Sequence, residues 1–153
     1  MRPKNFYICS GYGVSDTILN SFDNALQECG IGDYNHITVS SVLPPMCIQR
    51  ECVNLPRGSL LYSAYSKITS NVVGTTLSAA IAIGIPTDIN EIGVIMEFSG
   101  LVSKEDAECS VRKMTLLAMQ NRMIEVKQII VKAMSLCVKN EKHHTAIAFV
   151  SMW

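Results

Sequence analysis

The sequence predicts a single α/β domain, and three observations predict it. A chain of 153 residues is enough for one hydrophobic core. Apolar segments with strand character recur along it, separated by Gly, Pro, Asn and Asp, while two stretches carry the three-and-four spacing of amphipathic helices. Their order is strand, helix, several strands, long helix, strand, which implies sheets covered by helices on a limited set of faces.

The elements follow in chain order. Phe6 to Ser10 reads as a short apolar strand entering a turn at Gly11-Tyr12-Gly13. Ser15 or Asp16 can cap a helix with apolar positions Ile18, Phe22, Ala25, Leu26 and Cys29, and Gly30 and Gly32 stop it. His36 to Leu43 alternates as a strand and must end at Pro44-Pro45, where no amide hydrogen is left for a ladder. Met46 to Gly58 is polar and irregular. Strand character returns at Leu60–Tyr65, Leu77–Ile85 and Gly93–Phe98. Ser103, followed by Lys104, Glu105 and Asp106, is a helix start with acids in the first turn. Ala107, Val111, Met114 and Leu117, then Met123, Val126, Ile130, Met134 and Cys137, continue a helical stripe with a break near Gln120-Asn121. Ala146 to Trp153 closes the chain as a strand.

Composition excludes several function classes. Thirteen basic and thirteen acidic side chains leave a net charge of zero, which gives no electrostatic reason to expect nucleic acid or an anionic membrane. No apolar run reaches the roughly 18 residues of a membrane span, and the start of the chain turns polar too soon for a signal peptide. A cytoplasmic protein is expected. The six cysteines agree: Cys9, Cys29, Cys109 and Cys137 lie among apolar neighbours, and Cys47 and Cys52 lack a second pair, so reduced thiols and no metal site are expected.

Three places carry possible chemistry. Ser40-Ser41, in Thr38-Val39-Ser40-Ser41-Val42-Leu43-Pro44-Pro45, is an unusual pair at the end of an apolar strand, although a capped strand end also accounts for it. Glu97, in Gly93-Val94-Ile95-Met96-Glu97-Phe98-Ser99-Gly100, either points to solvent or sits partly desolvated, where it can act as an acid. Asp23, after Phe22 on the first helix, is either part of a solvated face or an anion for a cation such as guanidinium. Gly11-Tyr12-Gly13 begins like a dinucleotide fingerprint, but Asp16 stands where the third glycine belongs, so nucleotide binding is discounted.

Taken together, SGYGVSDTILNSFDNAL, GIGDYNHITVSSVLPP, LPRGSL, AAIAIGIP and GVIMEFSG, with their mutual spacing, resemble the pyruvoyl-dependent arginine decarboxylases over nearly the whole chain. The resemblance implies a four-layer αββα sandwich of the type shared by the pyruvoyl-dependent histidine and arginine decarboxylases. It implies one domain, residues 1–153, self-cleaved between Ser40 and Ser41 into a β chain of residues 1–40 and an α chain of residues 41–153. Ser41 would attack the preceding carbonyl, eliminate, and leave a covalent pyruvoyl group, with neither pyridoxal phosphate nor metal. Asn35 matches an asparagine that supports this processing. The implied reaction converts L-arginine to agmatine and CO2 through a Schiff base on the pyruvoyl group, with Glu97 as proton donor and Asp23 binding the guanidinium. A trimer of cleaved protomers with interfacial active sites is also implied. Two alternatives stay open: another basic amino acid such as histidine as substrate, and a non-enzymatic member that never cleaves. One departure stands out, since Met46 occupies the position after Pro44-Pro45 where a glycine is expected.

Overall fold

The computed structural model describes residues 2–153. Nine strands and two helices make up those residues: β1 (Asn5–Ser15), α1 (Ile18–Glu28), β2 (Asn35–Thr38), β3 (Val42–Leu43), β4 (Ile48–Gln49), β5 (Leu60–Ser70), β6 (Thr76–Pro86), β7 (Gly93–Gly100), α2 (Lys104–Gln120), β8 (Val126–Cys137) and β9 (His143–Met152). They form a five-stranded sheet, ordered β2-β5-β9-β1-β4, and a four-stranded sheet, ordered β3-β7-β6-β8.

The side-chain period of two builds the layers. In β6, Leu77, Ala79, Ile81 and Ile83 face the other sheet, while Ala80 and Ala82 face α2 with Ala107 and Val111. In β9, Ala146, Ala148, Val150 and Met152 enter the core between the sheets, while Ile147 and Phe149 pack beneath α1. One helix covers each outer face, which gives the four-layer αββα sandwich. Both central strands are covered on both faces, so they read as near-continuous apolar runs. Truncating a side chain such as Ile81, which is wholly buried, would cost about 2–5 kcal/mol.

Four expectations are corrected. Gly11-Tyr12-Gly13 is not a turn: β1 runs straight through it, paired with β9 to Ser15. The glycines serve the helix above, because a Cβ on Gly13 would lie 2.1 Å from the Ser21 carbonyl oxygen. The cap of α1 is Thr17, whose hydroxyl accepts from the Asn20 amide, rather than Ser15 or Asp16; Gly30 then ends the segment with φ at 70°.

The single strand expected from His36 to Leu43 is two strands in two sheets. β2 pairs with β5, β3 pairs with β7, and residues 39–41 cross between them. The helical stripe expected beyond Asn121 is the strand β8. Met123 turns the chain with φ at 56°, and Ile129 and Val131 face α2 while Ile130 and Met134 face the core between the sheets. A strand with two apolar faces matches a helical spacing as well as its own, and the β-branched run was the deciding feature.

All six cysteines are free. Cys9 and Cys29 are buried as expected, whereas Cys109 and Cys137 are exposed. The Cys9 thiol is pushed up by its hydrogen bond with Cys29 and by burial. No helix of the described residues is long and apolar enough to cross a membrane.

Candidate active site

The crossing from one sheet to the other creates the site. On its near side the Val39 amide donates to the Ser63 carbonyl of β5 at 3.1 Å. On its far side the Ile95 amide of β7 donates to the Ser41 carbonyl at 2.9 Å. The peptide joining Ser40 to Ser41 therefore spans the two sheets with an anchor in each. Ser40 is exposed and Ser41 half-buried. Ser41 holds φ at 59°, a left-handed backbone that costs a residue with a Cβ about 1–2 kcal/mol.

Glu97 comes to this crossing because β3 covers only the start of β7, at Val94 and Gly93. Alternation sends Met96 and Phe98 toward α2, so the apolar neighbours of Glu97 in sequence are not its neighbours in space. Its own face carries Ile95 and, across the ladder, Ile81. There the half-buried carboxylate accepts a hydrogen bond from the Ser41 hydroxyl. A carboxylate oxygen on a serine hydroxyl can take up its proton, which leaves an alkoxide beside the preceding carbonyl.

The other two residues singled out from sequence lie elsewhere. Asn35 opens β2, and its amide nitrogen donates to the Gly58 carbonyl at 2.8 Å. The extended run from Asn35 to Thr38 spans about 10 Å, which keeps the Asn35 side chain away from the Ser41 of its own chain. Asp23 sits exposed on α1 and forms no ion pair among the described residues. Phe22 beside it packs inward, its ring 6.4 Å from Tyr65 and 6.3 Å from Phe149, with Lys67 Nζ 4.5 Å above it. One chain thus brings Ser41 and Glu97 together and leaves Asn35 and Asp23 apart from them.

Two features of the surroundings had a weaker signal in the sequence. His36 lies on β2, just before the crossing, with Nδ1 2.9 Å from Ser63 Oγ and Nε2 3.0 Å from the Ile31 carbonyl. Burial lowers the basicity of its imidazole. A histidine next to Asn35 in a short strand was the available hint; the serine it meets is 27 residues away. Downstream, Met46 holds φ at 59°, the conformation that glycine adopts without strain, so the departure noted in the sequence falls on a backbone position that favours glycine. Beyond it, Leu43, Pro44, Met46, Cys47, Ile85 and Pro86 line a cavity of about 220 Å³. Burial there pushes the Cys47 thiol up to about 11. Among the described residues, no group of three or more His, Cys, Asp or Glu is placed to hold a metal ion.

Comparison with known proteins bears on this geometry. The model of the family described as pyruvoyl-dependent arginine decarboxylase matches residues 5–153. A pyruvoyl-dependent arginine decarboxylase of Methanocaldococcus jannaschii is 38% identical over 151 residues, covering 99% of this chain and 90% of the relative. One from Thermococcus kodakarensis is 40% identical over 152 residues, covering 99% and 96%. One from Pyrococcus furiosus is 37% identical over 155 residues, covering 100% and 97%. Among solved structures, a pyruvoyl-dependent histidine decarboxylase at pH 8 superposes with a TM-score of 0.53 at 16% identity. That match takes in 65% of this chain and 52% of the other, and it speaks to the fold.

Proposed function

The chain belongs to the pyruvoyl-dependent arginine decarboxylases, and from that premise we propose that it converts L-arginine to agmatine and CO2 with a cofactor made from its own Ser41. The observation that carries this reading is the hydrogen bond from the Ser41 hydroxyl to Glu97 at a peptide stretched between two sheets. A serine in this place fits a pyruvoyl precursor. It has an acceptor for its proton, a preceding carbonyl in reach by construction, and a left-handed backbone.

In self-cleavage, Glu97 takes the hydroxyl proton, Ser41 Oγ attacks the carbonyl carbon of Ser40, and the proton passes on to the Ser41 nitrogen as the C–N bond breaks. The peptide bond becomes an ester. Transfer of the Cα proton of Ser41 to Glu97 then expels the Ser40 carboxylate, leaving residues 1–40 with a free C-terminus and a dehydroalanine at position 41. Water adds, ammonia leaves, and the α chain, residues 41–153, begins with the pyruvoyl group. That group supplies a carbonyl that accepts the substrate amine and draws in the electrons released with CO2. Glu97, now with its proton, remains on the face where the residue 41 side chain stood and protonates the carbon that has lost CO2. One carboxyl thus works as base first and acid later.

Asp23 completes the site as an anion for the guanidinium, with two-point geometry available. Its exposure on the outer helix α1 supports an arrangement in which an adjoining subunit supplies it, and we assign Asn35 to processing. We take the working assembly to be a trimer of cleaved protomers with active sites between subunits. The six free thiols suit a reducing compartment, and we assign the protein to the cytoplasm.

Intact mass is the test. Two fragments are expected, residues 1–40 and 41–153, the second blocked at its N-terminus and lighter than a serine start by one ammonia. Ser41→Ala should stay whole and inactive. Agmatine should appear with arginine and not with histidine or lysine. A single full-length chain under every condition would end the enzymatic reading, and release of CO2 from histidine alone would move the substrate.

A further inference from the structure

We propose that His36 and Ser63 form a positioning pair that holds the carbonyl side of the Ser40–Ser41 peptide for self-cleavage. The inference rests on the self-cleavage reading above and assigns it a second support besides Glu97.

The geometry is a chain of directional bonds. A carbonyl can only accept, so the Ile31 oxygen at 3.0 Å puts the proton of His36 on Nε2. Nδ1 is then bare and accepts from the Ser63 hydroxyl at 2.9 Å. Ser63 Oγ in turn lies 3.3 Å from Ser151 Oγ, and both serines are wholly buried. The imidazole edge rests on Phe149, with ring centroids 5.3 Å apart. These contacts leave His36 one tautomer and tie β2, β5 and β9 into a single block.

Ser63 is what connects this block to the chemistry. Its hydroxyl meets His36, while its carbonyl accepts from Val39, the residue before Ser40. On the other side of the scissile peptide the Ser41 carbonyl is held by Ile95. The reacting atoms are therefore fixed from two ends, and loosening the Ser63 end frees the Ser40 carbonyl to swing out of the path of Ser41 Oγ. Misplacement by about 1 Å can cost such a reaction a hundredfold.

The neutral imidazole is the working form. Adding a proton to Nδ1 forces the Ser63 hydroxyl to turn round and accept, and the bond network reverses through Ser151. It also brings a charge into a half-buried place, and that burial already lowers the basicity of His36. Nothing nearby compensates. From β5 the same face presents Tyr65 and Lys67, the latter over the Phe22 ring; β9 presents Phe149 and Ser151. On the segment after α1, Asp33 is paired with Arg57, and Tyr34 donates its hydroxyl to the Leu55 carbonyl. No carboxylate among the described residues forms an ion pair with the imidazole.

The experiment follows the full-length chain from cell-free synthesis into its two fragments, from about pH 5 to about pH 8. Wild type, His36→Gln, His36→Ala and Ser63→Ala are compared. His36→Ala and Ser63→Ala should process about tenfold to a hundredfold more slowly. His36→Gln keeps a donor and an acceptor without titrating and should process much faster than His36→Ala. Glu97 is present in every protein, so the ratio of the wild-type rate to the His36→Gln rate isolates the imidazole, and it should fall toward acid. A purely structural role would lower melting temperatures and leave that ratio flat. A flat ratio, or His36→Ala cleaving at the wild-type rate, overturns the proposal while wild type still yields two fragments. Failure of the wild type to yield fragments instead overturns the self-cleavage reading itself.

Discussion

Glu97 and Asp23 are both carboxylates of the proposed site, and the fold treats them in opposite ways. Glu97 is half-buried in the middle of β7, between the sheets, and already engages Ser41. Asp23 stands exposed on α1 without an ion-pair partner among the described residues. The difference teaches how the labour is divided. In the proposed scheme the serine and its proton acceptor, needed before any cofactor exists, already meet within one chain, whereas Asn35 stands apart from them. Recognition of the substrate is needed only afterwards and can wait for the assembly. Processing should therefore depend on Glu97 and be indifferent to Asp23, whereas turnover should depend on both.

Replacing the inner carboxylate is the hardest test of that division. Glu97→Gln should slow fragment formation and lower CO2 release per pyruvoyl-bearing chain by about a hundredfold or more. Full activity of the cleaved variant would remove Glu97 from the mechanism. Replacing the outer carboxylate comes next. Asp23→Asn should form fragments at the wild-type rate and raise the KM for arginine by about tenfold to a hundredfold, the worth of a hydrogen bond to a charged partner. Mixed oligomers of Asp23→Asn with Ser41→Ala should regain activity, because one chain type supplies the intact acid and the other the cofactor. No recovery on mixing would place both in one protomer.

The scaffold on the Ser63 side of the crossing offers a smaller, acid-sensitive effect. The folded value for His36 is depressed by burial, so below the ordinary histidine value of about 6.5 the unfolded chain binds the proton more readily than the folded one. The stability it contributes is complete above that pH. It declines as pH falls toward the depressed folded value. Melting curves of Ser41→Ala should show this acid limb, and adding His36→Gln should flatten it. The smallest effect belongs to the far side of Pro44-Pro45. Met46→Gly should relieve a left-handed backbone and raise stability by about 0.5–1 kcal/mol, read from urea midpoints on the uncut Ser41→Ala background. It should leave the KM for arginine unchanged.

The layers and the inner half of the site were legible in the sequence to different degrees. β6 and β9 could be read because Ala-rich and β-branched runs bounded by turns leave little choice, and Ser103 with its acids announced α2. β8 was misread because Ile130 and Met134 face one side while Ile129 and Val131 face the other, so apolar residues occur at every spacing. The crossing at residues 39–41 was hidden because Val39 and Leu43 continue the alternation begun at Ile37, and only the partners in two different sheets show the break. Ser40-Ser41 and Glu97 could be paired only through resemblance, since 56 residues separate Ser41 from Glu97. The meeting of His36 with Ser63 had no trace beyond a histidine next to Asn35, since a hydrogen bond between neighbouring strands leaves no periodic pattern.

The strand order has a further consequence. The proposed cut after residue 40 would assign β1 and β2 to one polypeptide and β4, β5 and β9 to the other, so the order β2-β5-β9-β1-β4 would interleave the two. A molecule nicked there would be woven rather than docked, and its halves could not part without dismantling the sheet. Folding would be unimolecular only before the cut. Afterwards the halves would have to find each other in solution, so recovery from denaturation should become concentration-dependent, and maturation would give the protein a one-way history.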